Sequence, residues 1–335
     1  MTDLLIITRE VGYDSGVIVS IRHLAAVLEQ AGISVRTCRF STEEELWELA
    51  REAPEACLNI HVPSFKDETL AQIMTLGKPV LLSIHSTLCN LQTEAGLLER
   101  IFRMGRLYGG QLLFSCPSGP ETEAMNALHS GQFIHLPNAF SYPLLTEAEA
   151  RERAAQRLAE RSRRVGMFSA YRPFKNLPVQ LAAAGLCAGD FPLELHFSHG
   201  TEQNPLYRAM RELSEAACLP AVFHEQMSNG DFYASLDGIS VLLQVSLSET
   251  LSYVALEHMA RGIPVVGSAS IPFATWQADY SDVQDIADKL RLALAADTYQ
   301  ENVSRTLARA RQVVTANNQG AVARIREFIG GAYDR

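Results

Sequence analysis

Residues 246–268 read SLSETLSYVALEHMARGIPVVGS. Apolar Val241–Val245 precedes this stretch and reads as a buried strand, and SLSET reads as a polar turn. Leu251–Arg261 carries helical periodicity and stops at Gly262, a residue suited to the left-handed position that closes a helix. Pro264 then opens another buried strand. Strand, turn, helix and strand in this order form the repeating unit of a parallel sheet wound with helices.

The same alternation extends in both directions. Around this stretch, strands are expected at Arg164–Ser169, Leu193–Ser198, Ala221–His224, Ile239–Val245 and Pro264–Gly267. Helices are expected near Leu177–Cys187, Pro205–Ala217, Leu251–Arg261 and Val283–Ala296. Nearer the N-terminus the strand candidates are Leu4–Thr8, Ser34–Arg39, Ala56–His61, Pro79–His85, Gln111–Cys116 and Phe133–Leu136. Helical periodicity fills most of the gaps, most clearly at Ile18–Ala31 and Glu94–Leu107. The prediction is an α/β protein with two parallel-sheet domains facing each other across a cleft, where ligands bind beyond the carboxyl ends of strands.

The chain's 335 residues suit two domains. Its hydrophobic fraction of 47% and charged fraction of 20% exclude disorder as the main state. A net charge of −9 argues against a broad nucleic-acid surface. Residues 1–145 carry 10 Lys/Arg and 16 Asp/Glu; 146–164 carry 6 and 4; 165–310 carry 9 and 16; 311–335 carry 4 and 2. This division predicts an N-terminal domain over 1–145, a charged connector with exposed-helix character over 146–164, a second domain over 165–310 and a tail over 311–335. Six cysteines without a CxxC pair read as free thiols in a reducing compartment. Met1-Thr2-Asp3 lacks the basic start of a secretory signal, and the charge-free stretch 124–146 is too polar to span a membrane. The expected location is cytoplasmic, or peripheral at a membrane face at most.

Glu249 and Glu257, eight residues apart, are the acids of the opening stretch. By themselves they fit a helix-start acid favoured by the macrodipole and a partly buried, hydrogen-bonded carboxylate. The stretch as a whole resembles the signature of the retaining group-one glycosyltransferases of the family-four type. Their pattern runs Ser-x-x-Glu, seven residues, then Glu-Ala-Met-Ala-x-Gly-x-Pro-Val-Val. Ser246, Glu249, Glu257, Met259, Ala260, Gly262, Pro264, Val265 and Val266 match it in register. The resemblance implies the GT-B fold of two Rossmann-like domains, with 311–335 as a C-terminal helix crossing back to the first domain. It also implies transfer of a sugar from a nucleoside-diphosphate donor with retention of configuration. Glu249 would then face the donor sugar and diphosphate, and Glu257 the ribose hydroxyls, whose two hydrogens one carboxylate can accept. Where the family has an aromatic-Gly pair, this chain has Leu251 and Ser252, which fall on the donor side of the site.

VGMFSAYRPFKN, residues 165–176, matches the family's first strand and loop of the second domain. It makes Arg172 and Lys175 the cations that stabilise the leaving diphosphate, with a spacing shorter than the family's. His224–Met227 falls where the family's base-binding backbone lies, bringing in Gln226 and Met227. In the first domain Gly12 and Gly16 frame a loop before the helix Ile18–Ala31; the resemblance implies that it approaches the donor phosphate and the acceptor, with Gly16 on the donor side, and a structural turn is an equal reading. His85 stands at a strand's carboxyl end, where the family places a histidine on the donor sugar, and His61 is a weaker candidate of that kind. Pro137 and Asn138 match a segment read as structural. No Asp-x-Asp motif and no His/Cys cluster appears, so neither a required metal nor a cofactor is expected. The acceptor (glycan, lipid, small molecule, protein or, with the acidic balance against it, nucleic acid), the base, the sugar and the oligomeric state are not written in these residues. Two other readings are a non-catalytic sugar-nucleotide-binding subunit and a sugar-nucleotide epimerase of the same fold.

Overall fold

The structure, a computed structural model, describes residues 3–10, 16–61, 65–86, 95–129 and 133–331. Contacts divide the chain into two units, Met1–Ser141 with Val314–Arg335, and Tyr142–Val313.

In unit 1 the order is β1 Leu4–Arg9, α1 Gly16–Gln30, β2 Val35–Phe40, α2 Glu43–Glu52, β3 Cys57–His61, α3 Asp67–Met74, β4 Val80–Ser83, α4 Ala95–Tyr108, β5 Leu112–Cys116, α5 Gly119–Leu128 and β6 Phe133–His135. The six strands are parallel, in the order β2-β1-β3-β4-β5-β6. Alternate side chains of β1 enter different cores, because a strand's side chains leave opposite faces of its sheet. Leu5 and Ile7 pack with residues of α2, α3, α4 and α5, while Leu4 and Ile6 pack with α1 and the end of the chain. Continuous apolar runs such as LLII are therefore what a two-faced parallel sheet requires.

Unit 2 contains α6 Glu147–Ala159, β7 Arg163–Met167, α7 Leu177–Cys187, β8 Leu193–Phe197, α8 Pro205–Ala216, β9 Ala221–Phe223, α9 Asn229–Ser235, β10 Val241–Gln244, α10 Tyr253–Ala260, β11 Val265–Gly267, β12 Trp276–Gln277 and α11 Val283–Leu294. Its sheet, also parallel, has the order β12-β11-β10-β7-β8-β9. Val241 and Leu243 face one core, and Leu242 faces the other. A final helix, α12 Tyr299–Ile329, packs Tyr299, Val303 and Leu307 against Ala150 and Ala154 in unit 2. In unit 1 its Ala321, Ile325 and Phe328 complete the core beside β1.

Residues 146–164 are the first helix and the start of the first strand of unit 2. The expected exposed helix is buried along one side: Ala150 and Ala154 are fully covered and Arg157 is 1% exposed. Arg157 donates from Nε to the Asp237 carbonyl (2.9 Å) and from Nη2 to the Arg261 carbonyl (3.2 Å), which is left open at the end of α10. Mixed charge along the helix conceals this inward face. Gly262 closes α10 with φ +66°, and the Ile263 N–H reaches back to the His258 carbonyl (3.0 Å), a Schellman closure. A Cβ there would stand 2.9 Å from that of Ala150, so both conformation and packing require glycine.

Candidate functional site

In an open parallel sheet, the crevice for a ligand opens where the winding reverses direction. In unit 2 that point lies between β7 and β10, from which the chain winds outward to β9 on one side and β12 on the other. The loops leaving these two strands carry the residues singled out in the sequence. They are stitched together: the Leu247 N–H donates to the Phe174 carbonyl (2.8 Å), and Asn176 Nδ2 donates to the Val245 carbonyl (3.2 Å). Asn176, at φ 57°, turns the short helix Pro173–Lys175 into α7.

This stitching brings Lys175 Nζ to 2.6 Å from Glu249 Oε1, with side chains only 14% and 9% exposed. Gln244 Nε2 donates to the same oxygen (3.1 Å), and Gln244 Oε1 accepts from the Ser252 hydroxyl (2.6 Å). Ser252 Oγ also accepts from the Ala255 N–H (3.1 Å) as the N-cap of α10. The helix therefore begins at Tyr253 rather than at Leu251. Both hydrogen-bonding directions of the Ser252 hydroxyl are occupied, and Leu251 is a half-buried loop residue just before the cap. Arg172 is exposed, its guanidinium carbon 5.9 Å from the centre of the Phe174 ring; the Lys175 ammonium is 5.3 Å from the same ring. Arg172 forms no ion pair among the described residues, which leaves its charge available to an anion.

Glu257 is the fifth residue of α10 and 7% exposed. Burial pushes its carboxyl pKa up to about 7. Among the described residues it forms no hydrogen bond or ion pair, whereas buried carboxylates are ordinarily satisfied. Ser169 and Ser246, one after β7 and one after β10, have buried hydroxyls without a partner among the described residues. Burying such groups unpaired is costly, and a polar ligand is one way to complete them. Gln226 is exposed and Met227 half-buried in the loop between β9 and α9.

Gln244 and Asn176 were not anticipated from the sequence. Gln244 had a signal, as the polar residue in the otherwise apolar run VLLQV. Asn176 had none, because its partners come from distant loops. Gln244→Leu removes a donor from Glu249 and the acceptor of Ser252. The expected loss of stability is about 1–3 kcal/mol, read as a lower urea midpoint at unchanged slope; an unmoved midpoint would show the network to be idle.

In unit 1 the winding reverses between β1 and β3. His61 ends β3 at that point, and its Nδ1 lies 2.7 Å from Nε2 of His85, which follows β4. The structure thus joins the stronger and the weaker histidine candidate into one stacked pair, with ring centres 5.0 Å apart. Burial lowers the His85 pKa to about 4 and holds that of His61 well below its ordinary value, so both are neutral at pH 7. Beneath them Ser83 Oγ meets Asn59 Oδ1 (2.8 Å) and Ser115 Oγ (2.9 Å). Ser20, His61, Ser83, His85, Ser115 and Asn138 line a cavity of about 10 Å³, room for one water. Asn138 accepts from Ser20 through its side chain (2.9 Å) and from Asn317 through its carbonyl (3.2 Å), a bracing role. Gly16 is the exposed first residue of α1, and nothing lies within 4 Å of where a Cβ would stand. Gly12 lies outside the described residues.

Among the described residues no group of three or more His, Cys, Asp or Glu is placed to hold a metal ion. Among them, no helix is long and apolar enough to cross a membrane. Cys38, Cys57, Cys116, Cys187 and Cys218 are not joined in disulfides.

No protein-family profile matches the chain, and no curated protein matches it in sequence. Its fold does have solved counterparts. HepE (Alr3699) from Anabaena, in complex with UDP and glucose, superposes with a TM-score of 0.74 at 14% identity, over 97% of this chain and 99% of that one. Sucrose-phosphate synthase from Thermosynechococcus elongatus gives 0.69 at 17% identity, over 97% and 99%. The UDP-forming α,α-trehalose-phosphate synthase from Burkholderia vietnamiensis gives 0.67 at 12% identity, over 99% and 98%. At these identities the likeness establishes the fold, which is the GT-B fold of two Rossmann-like domains.

Proposed function

We propose that this chain is a glycosyltransferase that moves a sugar from a nucleoside-diphosphate donor, a UDP-sugar first among the candidates, to an acceptor hydroxyl with retention of anomeric configuration. The observation that carries this reading is the buried carboxylate of Glu257, without a hydrogen bond or ion pair among the described residues, on the helix that leaves the Lys175–Glu249 crossing. An ionised carboxylate accepts both hydrogens of a vicinal diol, the group a ribose presents. The UDP and UDP-glucose complexes of the HepE structures support the choice of donor.

In the step proposed, the bond between the anomeric carbon and the diphosphate oxygen breaks as the acceptor oxygen bonds to that carbon on the same face. The acceptor's proton passes to the departing diphosphate oxygen. Negative charge grows on the diphosphate, and Arg172 and Lys175 are the cations placed to meet it. Lys175 is already oriented by Glu249, so its ordering cost is met before the donor arrives. No step here calls on a metal.

Addition of UDP, GDP, ADP, CDP or TDP and the corresponding sugar nucleotides should raise the melting temperature for at least one base, since a ligand of the native state stabilises by mass action. Transfer of labelled sugar from that donor, or its slow hydrolysis without acceptor, completes the test. Absence of any shift would reject the proposal. Binding with neither transfer nor hydrolysis would favour a binding subunit, the reading suggested by a capped, fully engaged Ser252 where the resembled family has glycine.

A further inference from the structure

Arg172 and Lys175 stand on one tight turn, yet they are held in different ways. Lys175 is gripped at both ends. Glu249 takes its ammonium, and Gln180, fully buried in the first turn of α7, donates from Nε2 to its carbonyl (2.7 Å). Arg172 forms no ion pair among the described residues, so the direction of its guanidinium depends on the backbone to either side. On one side Pro173 confines the residue before it, and Arg172 is accordingly extended at φ −129°, ψ 146°. On the other side stands Tyr171, at the centre of a three-residue turn closed by the Arg172 N–H on the Ala170 carbonyl (2.8 Å).

Tyr171 is buried and tied down through both its side chain and its backbone. Its hydroxyl donates to the carbonyl of Ser198, the residue that leaves β8 (2.8 Å). Its own carbonyl accepts from Asn204 Nδ2 (3.1 Å). Asn204 is also the N-cap of α8, where its Oδ1 accepts from the N–H groups of Leu206 (2.9 Å) and Tyr207 (3.3 Å). One side chain thus starts a helix with its oxygen and holds the Arg172 loop with its nitrogen. The Tyr171 ring meets that of Tyr207 edge to face, 5.1 Å between centres, and a Cβ at Gly200 would collide with both. Tyr207 packs in turn on Phe223 of β9, which stacks on Phe197 of β8. A run of aromatic rings therefore connects the turn to the sheet.

We infer that Tyr171 and Asn204 are positioning residues that aim Arg172 at the departing diphosphate. The inference rests on the glycosyltransferase reading. An exposed arginine has many rotamers to lose when it meets a growing charge, and a fixed backbone leaves fewer of them. Helix capping by itself does not explain the choice of asparagine. The cap of α8 needs an acceptor oxygen, which serine or aspartate would supply equally well. The amide nitrogen is the part that the helix does not use, and it goes to the residue before Arg172.

Two substitutions separate the hold on Arg172 from the packing around it. Asn204→Ser retains a capping oxygen and lacks the amide, and Tyr171→Phe retains the ring on Gly200 and lacks the hydroxyl. In the full chain, with UDP-glucose as donor and release of UDP as the readout, each should lower turnover about tenfold, the scale of a small misplacement of a group that meets the transition state. Calorimetric affinity for UDP should change less than turnover. In an Arg172→Ala background the same substitutions should cause no further loss, because residues that act through one group are not additive. Full turnover in either variant, or an undiminished loss in the Arg172→Ala background, would overturn the inference and leave the glycosyltransferase reading standing. Wild-type protein that neither binds nor cleaves UDP-glucose or its GDP, ADP, CDP and TDP counterparts would bring down that reading and the inference with it.

Discussion

If the proposed sugar transfer is this chain's reaction, Lys175→Ala should lower its turnover about 10²-fold, the scale of losing one preorganised contact to charge that develops in the transition state. Arg172→Ala should lower it by about the same factor. The two losses have different origins. Lys175 is largely enclosed, at 14% side-chain exposure, and is aimed by Glu249 at 2.6 Å. Among the described residues, its removal leaves Glu249 with the amide of Gln244 as its donor. Arg172 is exposed and stacked near Phe174, so its removal costs charge and little structure. In both variants the affinity for the free nucleotide should change less than turnover, because the charge grows as the bond breaks. Steady-state kinetics with labelled donor, run beside calorimetric nucleotide binding, separates the two quantities. Turnover at the wild-type level in either variant would remove that cation from the mechanism.

The second large effect is a pH dependence centred on Glu257. Its carboxyl pKa is about 7 in the ligand-free protein, raised from 4.5 by burial. Between those values the folded chain holds a proton that the unfolded chain has released. Stability of the free protein from this group is therefore fully present below about pH 4.5 and is lost as pH rises through about 7. A diol donates its hydrogens to the ionised form, so binding has the opposite trend. Nucleotide affinity should rise about tenfold from pH 6 to pH 8, with release of a proton on binding below pH 7. Glu257→Gln should bind more weakly at pH 8 and lose this slope. Because the variant retains any ionisation of the nucleotide itself, the difference between the two profiles isolates Glu257. Calorimetry in buffers of different ionisation enthalpy measures the proton directly. Parallel profiles for wild type and Glu257→Gln would show that the carboxylate does not meet the ligand.

Much of the fold could be read from local pattern. Leu177–Cys187 is a helix with the expected ends, and the eleven expected strands are all present. The ends differ where side chains decide them: Ser252 takes the cap of α10 and trims its start. β12 escaped notice because two residues, Trp276 and Gln277, are too few to show a period. The buried face of α6 escaped because its inward residues include an arginine, Arg157, whose aliphatic stem and backbone-directed guanidinium fit a covered position.

What the amino-acid sequence determined by itself was the alternation of elements, the glycine that closes α10 and the residue types available at strand exits. These depend on neighbours within a few positions, through periodicity, caps and backbone freedom. Tertiary structure alone decided which exits meet. Lys175 and Glu249 are 74 positions apart, and they pair because β10 lies beside β7 in the sheet. His61 reaches His85 across 24 positions, and His196 reaches His224 across 28, for the same reason. Strand order is set by how whole layers bury their two faces together, a property of the assembled core that no short window of residues contains.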